Sequence, residues 1–260
     1  MQTEKFLLKM NDASEIAVNR WIPESEEDIK AVIVFSHGMQ EHSLRYDRIG
    51  SIFAENGFVF NAHDHRGHGK TAQNAEQNGT GMFGKLADKN GFEIATEDLA
   101  EVIKEVKNDF PGKKIILLSH SFGSFVAQNY IQKYGSEIDA CILSGTSIYK
   151  KNYAIGSLIT KIAIAVKGPD FKSKFIQNIA FYGYNDRFKN ENDEYSWLSA
   201  NTANREMYRN DAWCGGISTV SFFKDVIYGL HKINIAKNIR KIPVDLPVLA
   251  ICGSDDPVSG

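Results

Sequence analysis

The run Ile115-Ile116-Leu117-Leu118 passes directly into Ser119-His120-Ser121-Phe122-Gly123, and a helical pattern begins at Phe122 and continues to Tyr134, closed by Gly135. A short apolar run rich in branched residues suits a strand buried on both faces. A strand that becomes a helix within so few residues must turn sharply, and such a turn holds Ser121 in a strained backbone conformation at the strand's C-terminal end. Neighbouring backbones crowd the turn, so its flanking residues must be small. Gly123 meets that demand, and Ser119, standing where this pattern has Gly, is small enough to be tolerated. The helix N-terminus aims N–H groups and the positive end of its dipole at negative charge developing near the Ser121 hydroxyl.

Four more runs share this character: Ala31 to Phe35, Gly57 to Ala62, Ile138 to Leu143 and Val248 to Cys252. Between them lie helical patterns. Phe92 to Phe110 puts Ile94, Leu99, Val102, Ile103 and Val106 on one face and stops at Pro111-Gly112. Thr3 to Ile22 reads as a hairpin about Asn11-Asp12. Strand–helix alternation predicts an α/β fold, a mostly parallel sheet with helices on both faces. The alternation stops after Ser147 and resumes at Pro247. Residues 1–148 are therefore expected to form the first part of a core, 149–240 a mostly helical insertion, and 241–260 the return to the core. In the insertion Ile155, Leu158, Ile159, Ile162, Ala163 and Val166 share one helical stripe. With Phe171, Phe175 and Ile179 beyond it, the stripe either packs the insertion onto the core or lines an apolar pocket.

Lys plus Arg is 30 and Asp plus Glu is 32, a net charge of −2. That balance offers no electrostatic reason to expect nucleic acid as a partner. No apolar run approaches the ~18 residues of a membrane span, and Met1 to Met10 is too short and too charged for a signal peptide. Cys141, Cys214 and Cys252 are odd in number and scattered, with Cys141 and Cys252 inside apolar runs expected to be buried strands. They are expected to be reduced thiols of a cytoplasmic protein.

Two further segments carry chemistry. Ser36-His37-Gly38-Met39-Gln40-Glu41-His42 follows the strand Ala31 to Phe35, and a His-Gly pair there begins a loop that supplies an oxyanion donor. The expected oxyanion hole is the backbone N–H groups of Met39 and Phe122. Gly253-Ser254-Asp255-Asp256-Pro257-Val258 follows the late strand, where a triad acid is expected; Asp256 is preferred, with Asp255 the competitor. Three patterns are rejected. Gly79 to Gly84 spells G-x-G-x-x-G but follows no strand, and Gly69-Lys70-Thr71 lacks the earlier Gly of a phosphate loop. His63, His65 and His68 lack the partners of a metallohydrolase and read as a solvated turn at a strand end. No cofactor or metal is expected.

Together these residues resemble the α/β-hydrolase superfamily, in its monoacylglycerol lipase and lysophospholipase-like, serine aminopeptidase S33-type branch. The resemblance rests on His37 to His42 with Arg45-Tyr46, Asp64 to Gly69, Asn90-Gly91-Phe92 with Asp98, the Ser121 turn, Leu143 to Thr146, and Gly253 to Val258. Ser196 to Ser199 and Asp211 to Gly215 in the insertion are similar to bacterial members. It implies a helical cap over the site, Asp256 as the acid, and fatty esters of glycerol or lysophospholipid as substrates, with transient contact between the cap and lipid aggregates. A small-ester esterase, a peptidase, or a non-catalytic binding protein on the same fold are the alternatives.

One feature departs from the resemblance. The family places its catalytic His after the acid, whereas all seven histidines here, His37, His42, His63, His65, His68, His120 and His231, precede Asp256. His231 is the one substitute considered. The expectation is a fragment lacking its last strand, the His and a closing helix, able to bind acyl ligands but turning over poorly, since loss of the base costs on the order of 10⁶ in turnover.

Overall fold

A computed structural model describes residues 1–149 and 153–259. Its elements in chain order are β1 (Gln2–Lys9), β2 (Glu15–Ile22), β3 (Ala31–Ser36), α1 (Asp47–Glu55), β4 (Phe58–His63), α2 (Gly69–Gln77), α3 (Gly91–Asp109), β5 (Lys114–His120), α4 (Phe122–Tyr134) and β6 (Ala140–Ser144). Then follow α5 (Tyr153–Lys167), α6 (Lys174–Ala180), α7 (Thr202–Asn210), α8 (Val220–Ile233), α9 (Ala236–Ile239) and β7 (Val248–Ile251). The strands form one sheet in the order β1-β2-β4-β3-β5-β6-β7. The β1–β2 hairpin is antiparallel and β2 joins β4 antiparallel, while β4, β3, β5, β6 and β7 are parallel.

Side chains of a strand alternate between its faces, and β3 distributes its apolar residues accordingly. Val32 and Val34 enter the larger core with Leu99, Val102, Val126 and Phe222, under α3, α4 and α8. Ile33 and Phe35 enter a smaller core with Trp21, Ala54 and Phe60, under α1. On β2 Arg20 is almost fully buried: its guanidinium reaches Glu105 at 2.7 Å and Asp109 at 2.8 Å, and its Nε donates to Asn61. Those bonds compensate the desolvation of a buried charge and join β2 to the end of α3.

Residues 153–239 contain only helices and turns, apart from one bridge between Lys172 and Thr219. Three details correct the sequence reading. β7 is not buried: Val248, Leu249 and Ile251 are 45%, 54% and 46% exposed, so this apolar strand is an open edge. Cys252, just beyond it, is exposed, whereas Cys141 is buried. The stripe on α5 is split: Ile159 and Ala163 pack inward, but Ile155, Leu158, Ile162 and Val166 are more than half exposed.

Gly229 of α8 lets the Phe92 ring of α3 press against its backbone, where an added Cβ would stand 2.3 Å from the ring. Gly229→Ala is therefore expected to lower stability by about 1–3 kcal/mol through overpacking. Urea denaturation checks this, and an unchanged midpoint would mean that α8 and α3 are not in this contact.

Candidate active site

The turn between β5 and α4 forms because the sheet and the helix place conflicting demands on four residues. Ser121 adopts φ 49°, ψ −121°, a region that L-residues rarely occupy. Its N–H donates to Ser144 O at 2.9 Å, and its carbonyl accepts Ser124 N–H at 2.8 Å. An added Cβ at Gly123 would lie 2.1 Å from Ser36 O and 2.5 Å from His37 O, so only glycine lets α4 begin this close to β3. Ser119 is fully buried, and its hydroxyl donates to Ile142 O at 2.9 Å, which is why Ser fits where Gly is usual. Gly123→Ala is expected to displace the turn and to cost more than about 1–3 kcal/mol, because the obstacle is backbone and cannot rotate away. A melt indistinguishable from that of the unsubstituted protein would contradict the close approach.

Beside this turn runs the loop that begins at His37. Gly38 faces Ser121: an added Cβ would stand 3.2 Å from Ser121 Cβ. Gly38 N–H donates to Glu41 Oε1 at 2.6 Å, Tyr46 Oη donates to the same oxygen at 2.9 Å, and Arg45 pairs with Glu41 Oε2. Burial pushes the Glu41 carboxyl up, but the charges of Arg45 and the nearby histidines, with the Gly38 N–H, prevail and hold it below the usual carboxylate range. Gln40 takes φ 57° and is tied to the helical segment from three sides. Its amide donates to Gln177 Oε1 at 2.8 Å and Ser218 Oγ at 3.3 Å, and its carbonyl accepts Gly215 N–H at 3.0 Å.

Two cavities meet at Ser121, which is partly exposed. One, of about 350 Å³, lies beneath the helical segment, with Ser121, Met39, Ile159, Ile176, Trp197 and Phe223 among its walls. The other, of about 530 Å³, is lined by Ser121, His120, Ser144, Trp197, Asp255 and Asp256 among others. Asp255 pairs on the surface with Arg187 at 3.1 Å. Asp256 is less exposed; its Oδ1 accepts Val258 N–H at 2.8 Å, and a Cβ at Gly145 would lie 3.1 Å from its Oδ2 and 3.2 Å from His120. The structure thus brings Ser121, Met39, Phe122 and Asp256 to one region. His231 is elsewhere: it is exposed on α8 against Tyr149 and lines neither cavity.

His63, His65 and His68 are not a solvated turn. They are at most 2% exposed; His65 and His68 meet the His37 ring edge to face, and His63 meets His65 in the same way. His37 Nδ1 faces Gly38 O at 2.7 Å, and its Nε2 accepts His65 N–H at 3.1 Å, so these rings shape the loop from below. Lys70 N–H at the start of α2 donates to Asp64 at 2.7 Å, so a carboxylate already fills the place a phosphate would take. Burial lowers His63 to about 3 and His37 and His68 to about 4. Unfolded imidazoles titrate near 6.5, so between about pH 6.5 and 4 the unfolded chain binds more protons and stability falls as pH falls. Neither ring nitrogen of His63 has a partner among the described residues. His63→Leu is therefore expected to hold its stability at pH 7.5 and to flatten the decline towards pH 5, by up to about 1.4 kcal/mol per pH unit. Urea midpoints across that range test it; a slope equal to that of the unsubstituted protein would exclude His63 from the acid response.

The sheet order, the strained serine at the end of β5 and the loop after β3 define an α/β-hydrolase. Residues 27–260 match the family described as serine aminopeptidase, S33. The chain belongs to that family. Over 133 residues it is 32% identical to a monoacylglycerol lipase of Mycolicibacterium smegmatis, covering 51% of this chain and 43% of the relative. Over 98 residues it is 31% identical to the human monoglyceride lipase, covering 38% of this chain and 29% of the relative. The matched stretches thus span less than half the length of these relatives. In fold it is similar to a carboxyl esterase from Bacillus coagulans in complex with glycerol, with TM-score 0.87 and 24% identity over 100% of this chain and 82% of that one. It also resembles a monoglyceride lipase from Saccharomyces cerevisiae in complex with a substrate analogue, with TM-score 0.72 and 18% identity over 100% of this chain and 78% of that one.

Glu41, Arg45 and Asp211 enter the sequence reading only through the resemblance. The i, i+4 spacing of Glu41 and Arg45 was the one local signal of their pairing.

Proposed function

We propose that the protein hydrolyses carboxylic esters of lipids, of the monoacylglycerol or lysophospholipid kind, through an acyl-enzyme on Ser121. The observation that carries this reading is a strained, partly exposed serine opening onto a 350 Å³ cavity with mainly apolar walls. Ser121 Oγ attacks the ester carbonyl and its proton passes to a general base. The N–H groups of Met39 and Phe122 hold the oxyanion, the alcohol leaves with the proton, and water then releases the acid. Asp256 orients the base. None of the seven histidines is assigned that role: His120 lines both cavities but points its Nδ1 towards Ser144 Oγ at 3.4 Å.

The family description raises an aminopeptidase as a second reading. A free α-amino group needs an available carboxylate. Glu41 is the carboxylate lining the apolar cavity, and Arg45, Tyr46 and Gly38 already engage it. The ester reading is therefore favoured. Residues 153–239 act as a cap. Exposed Leu158, Ile162, Val166, Phe175 and Tyr182 beside Lys161, Lys167, Lys172 and Lys174 suit transient contact with a lipid surface bearing negative charge.

An alkyl boronic acid tests the site without requiring turnover, since it forms a tetrahedral adduct on the serine. Binding followed by ¹¹B NMR is expected to strengthen about fourfold per added methylene until the cavity is full, and to vanish in Ser121→Ala. Adduct formation that persists in that variant would remove Ser121 from the chemistry. Hydrolysis of p-nitrophenyl butyrate at about 1 s⁻¹ or faster by this chain, lost in Ser121→Ala, would assign the base to one of the seven histidines, contrary to the reading above. For the cap, sedimentation with anionic phospholipid vesicles is expected and should weaken at least severalfold in Leu158→Asp/Ile162→Asp; equal sedimentation of both proteins would reject the surface.

A further inference from the structure

The segment after α7 folds into a tight turn whose side chains meet the loop that follows β3. Asp211 and Cys214 are three residues apart, and Cys214 N–H donates to Asp211 O at 3.0 Å, which closes the turn. Trp213 N–H donates to Asp211 Oδ1 at 2.8 Å and turns Oδ2 towards His42, whose Nε2 lies 2.8 Å from it. One ligand atom each from His42, Asp211 and Cys214 lies within 4.8 Å of the others, and among the described residues no other trio of His, Cys, Asp or Glu does so.

Three properties of this cluster point to a cation. First, the donor set is imidazole, carboxylate and thiol, which suits zinc and its heavier, softer relatives and not magnesium or calcium. The i, i+3 spacing of Asp211 and Cys214 is also that of paired ligands on one chelating turn. Second, the Asp211 carboxylate and the Cys214 thiol stand side by side within the trio, so a cation held there meets one negative ligand and can stabilise a second as thiolate. Third, the cluster is supported and accessible. The edge of the His42 ring meets Trp213 with centroids 5.1 Å apart, the His42 side chain is 5% exposed, and that of Asp211 is 30% exposed.

We propose that His42, Asp211 and Cys214 bind one thiophilic divalent cation of the zinc class, with solvent completing the coordination. Binding displaces the thiol proton to solvent, moves the His42 ring proton from Nε2 to Nδ1, and exchanges the His42–Asp211 hydrogen bond for two metal–ligand bonds. Reaching ligand separations of roughly 3.3–3.8 Å, as a tetrahedral site requires, needs only rotation of side chains already in place. Because His42 belongs to the loop carrying Met39 and Gln40, while Asp211 and Cys214 belong to the helical segment, the ion clamps one to the other. The proposal is independent of any reading of the catalytic activity.

Cadmium tests it on the chain as it stands, because a cadmium thiolate has its own ultraviolet charge-transfer absorption. Titration of Cys252→Ser, which removes the exposed thiol, is expected to saturate at one equivalent below roughly 100 μM, to be reversed by competing zinc and unaffected by magnesium, and to raise the melting temperature. Adding Cys214→Ser should abolish the absorption. Adding Asp211→Asn, which keeps the size and the bond to Trp213, should weaken binding at least tenfold, and circular dichroism would verify that both variants are folded. Absorption of full strength in the Cys214→Ser protein, unchanged affinity in Asp211→Asn, or no saturation below that concentration would each overturn the site.

Discussion

The structure depends on a close approach that only a missing side chain permits. At Gly123 the first turn of α4 lies against the carbonyls of Ser36 and His37, with no space for even a methyl group. That contact sets the start of the helix beside the end of β3, and β3 and β5 are hydrogen-bonded neighbours in the sheet. The loop from His37 and the turn at Ser121 therefore leave adjacent strand ends and face each other. Gly38 repeats the arrangement from the other side, since its absent Cβ leaves room for Ser121. The strained backbone at Ser121 persists because the strand pairing, the bond to Ser144 and the helix all over-determine it.

Electrostatics then stiffen the loop. Burying the Glu41 carboxylate would cost several kcal/mol if it were unpaired. Arg45, Tyr46 and the Gly38 N–H remove most of that cost, and the neutral, buried histidines beneath leave the loop no freedom to relax downwards. From above, Gln177, Gly215 and Asp211 hold Gln40 and His42. The loop is thus held by residues as far as 178 positions away in sequence.

Much of the fold was legible in the sequence because strand and helix patterns are local. The strands at Ala31 and Lys114 and the helix at Phe122 fall where the apolar runs and glycines place them, with β5 continuing two residues further to His120. Ser121 was legible for the same reason, since an elbow is a strand, a tight turn and a helix in sequence. What failed was burial. Val248 to Ile251 forms a parallel strand where its apolar run predicts one, and within the described residues it is half exposed. The histidines at and after the end of β4 look polar and solvated, yet Phe122 of α4 and Phe222 of α8 close over them. On the α5 stripe Leu158, Ile162 and Val166 meet solvent, whereas Ile159 and Ala163 pack inward and Ile155 reaches the cavity.

The sequence by itself determined the alternation of strand and helix, the bend at Ser121 and the two glycines that permit it, because these follow from backbone geometry over a few residues. Tertiary structure alone placed Asp255 in a surface pair with Arg187 and Asp256 beside Gly145, at the side of His120. It also decided that Glu41 is neutralised within its own loop and that His42 meets Asp211 and Cys214. The physical reason is range: dihedral preferences and side-chain periodicity act between near neighbours, whereas desolvation and charge pairing depend on which distant segments the sheet brings into contact.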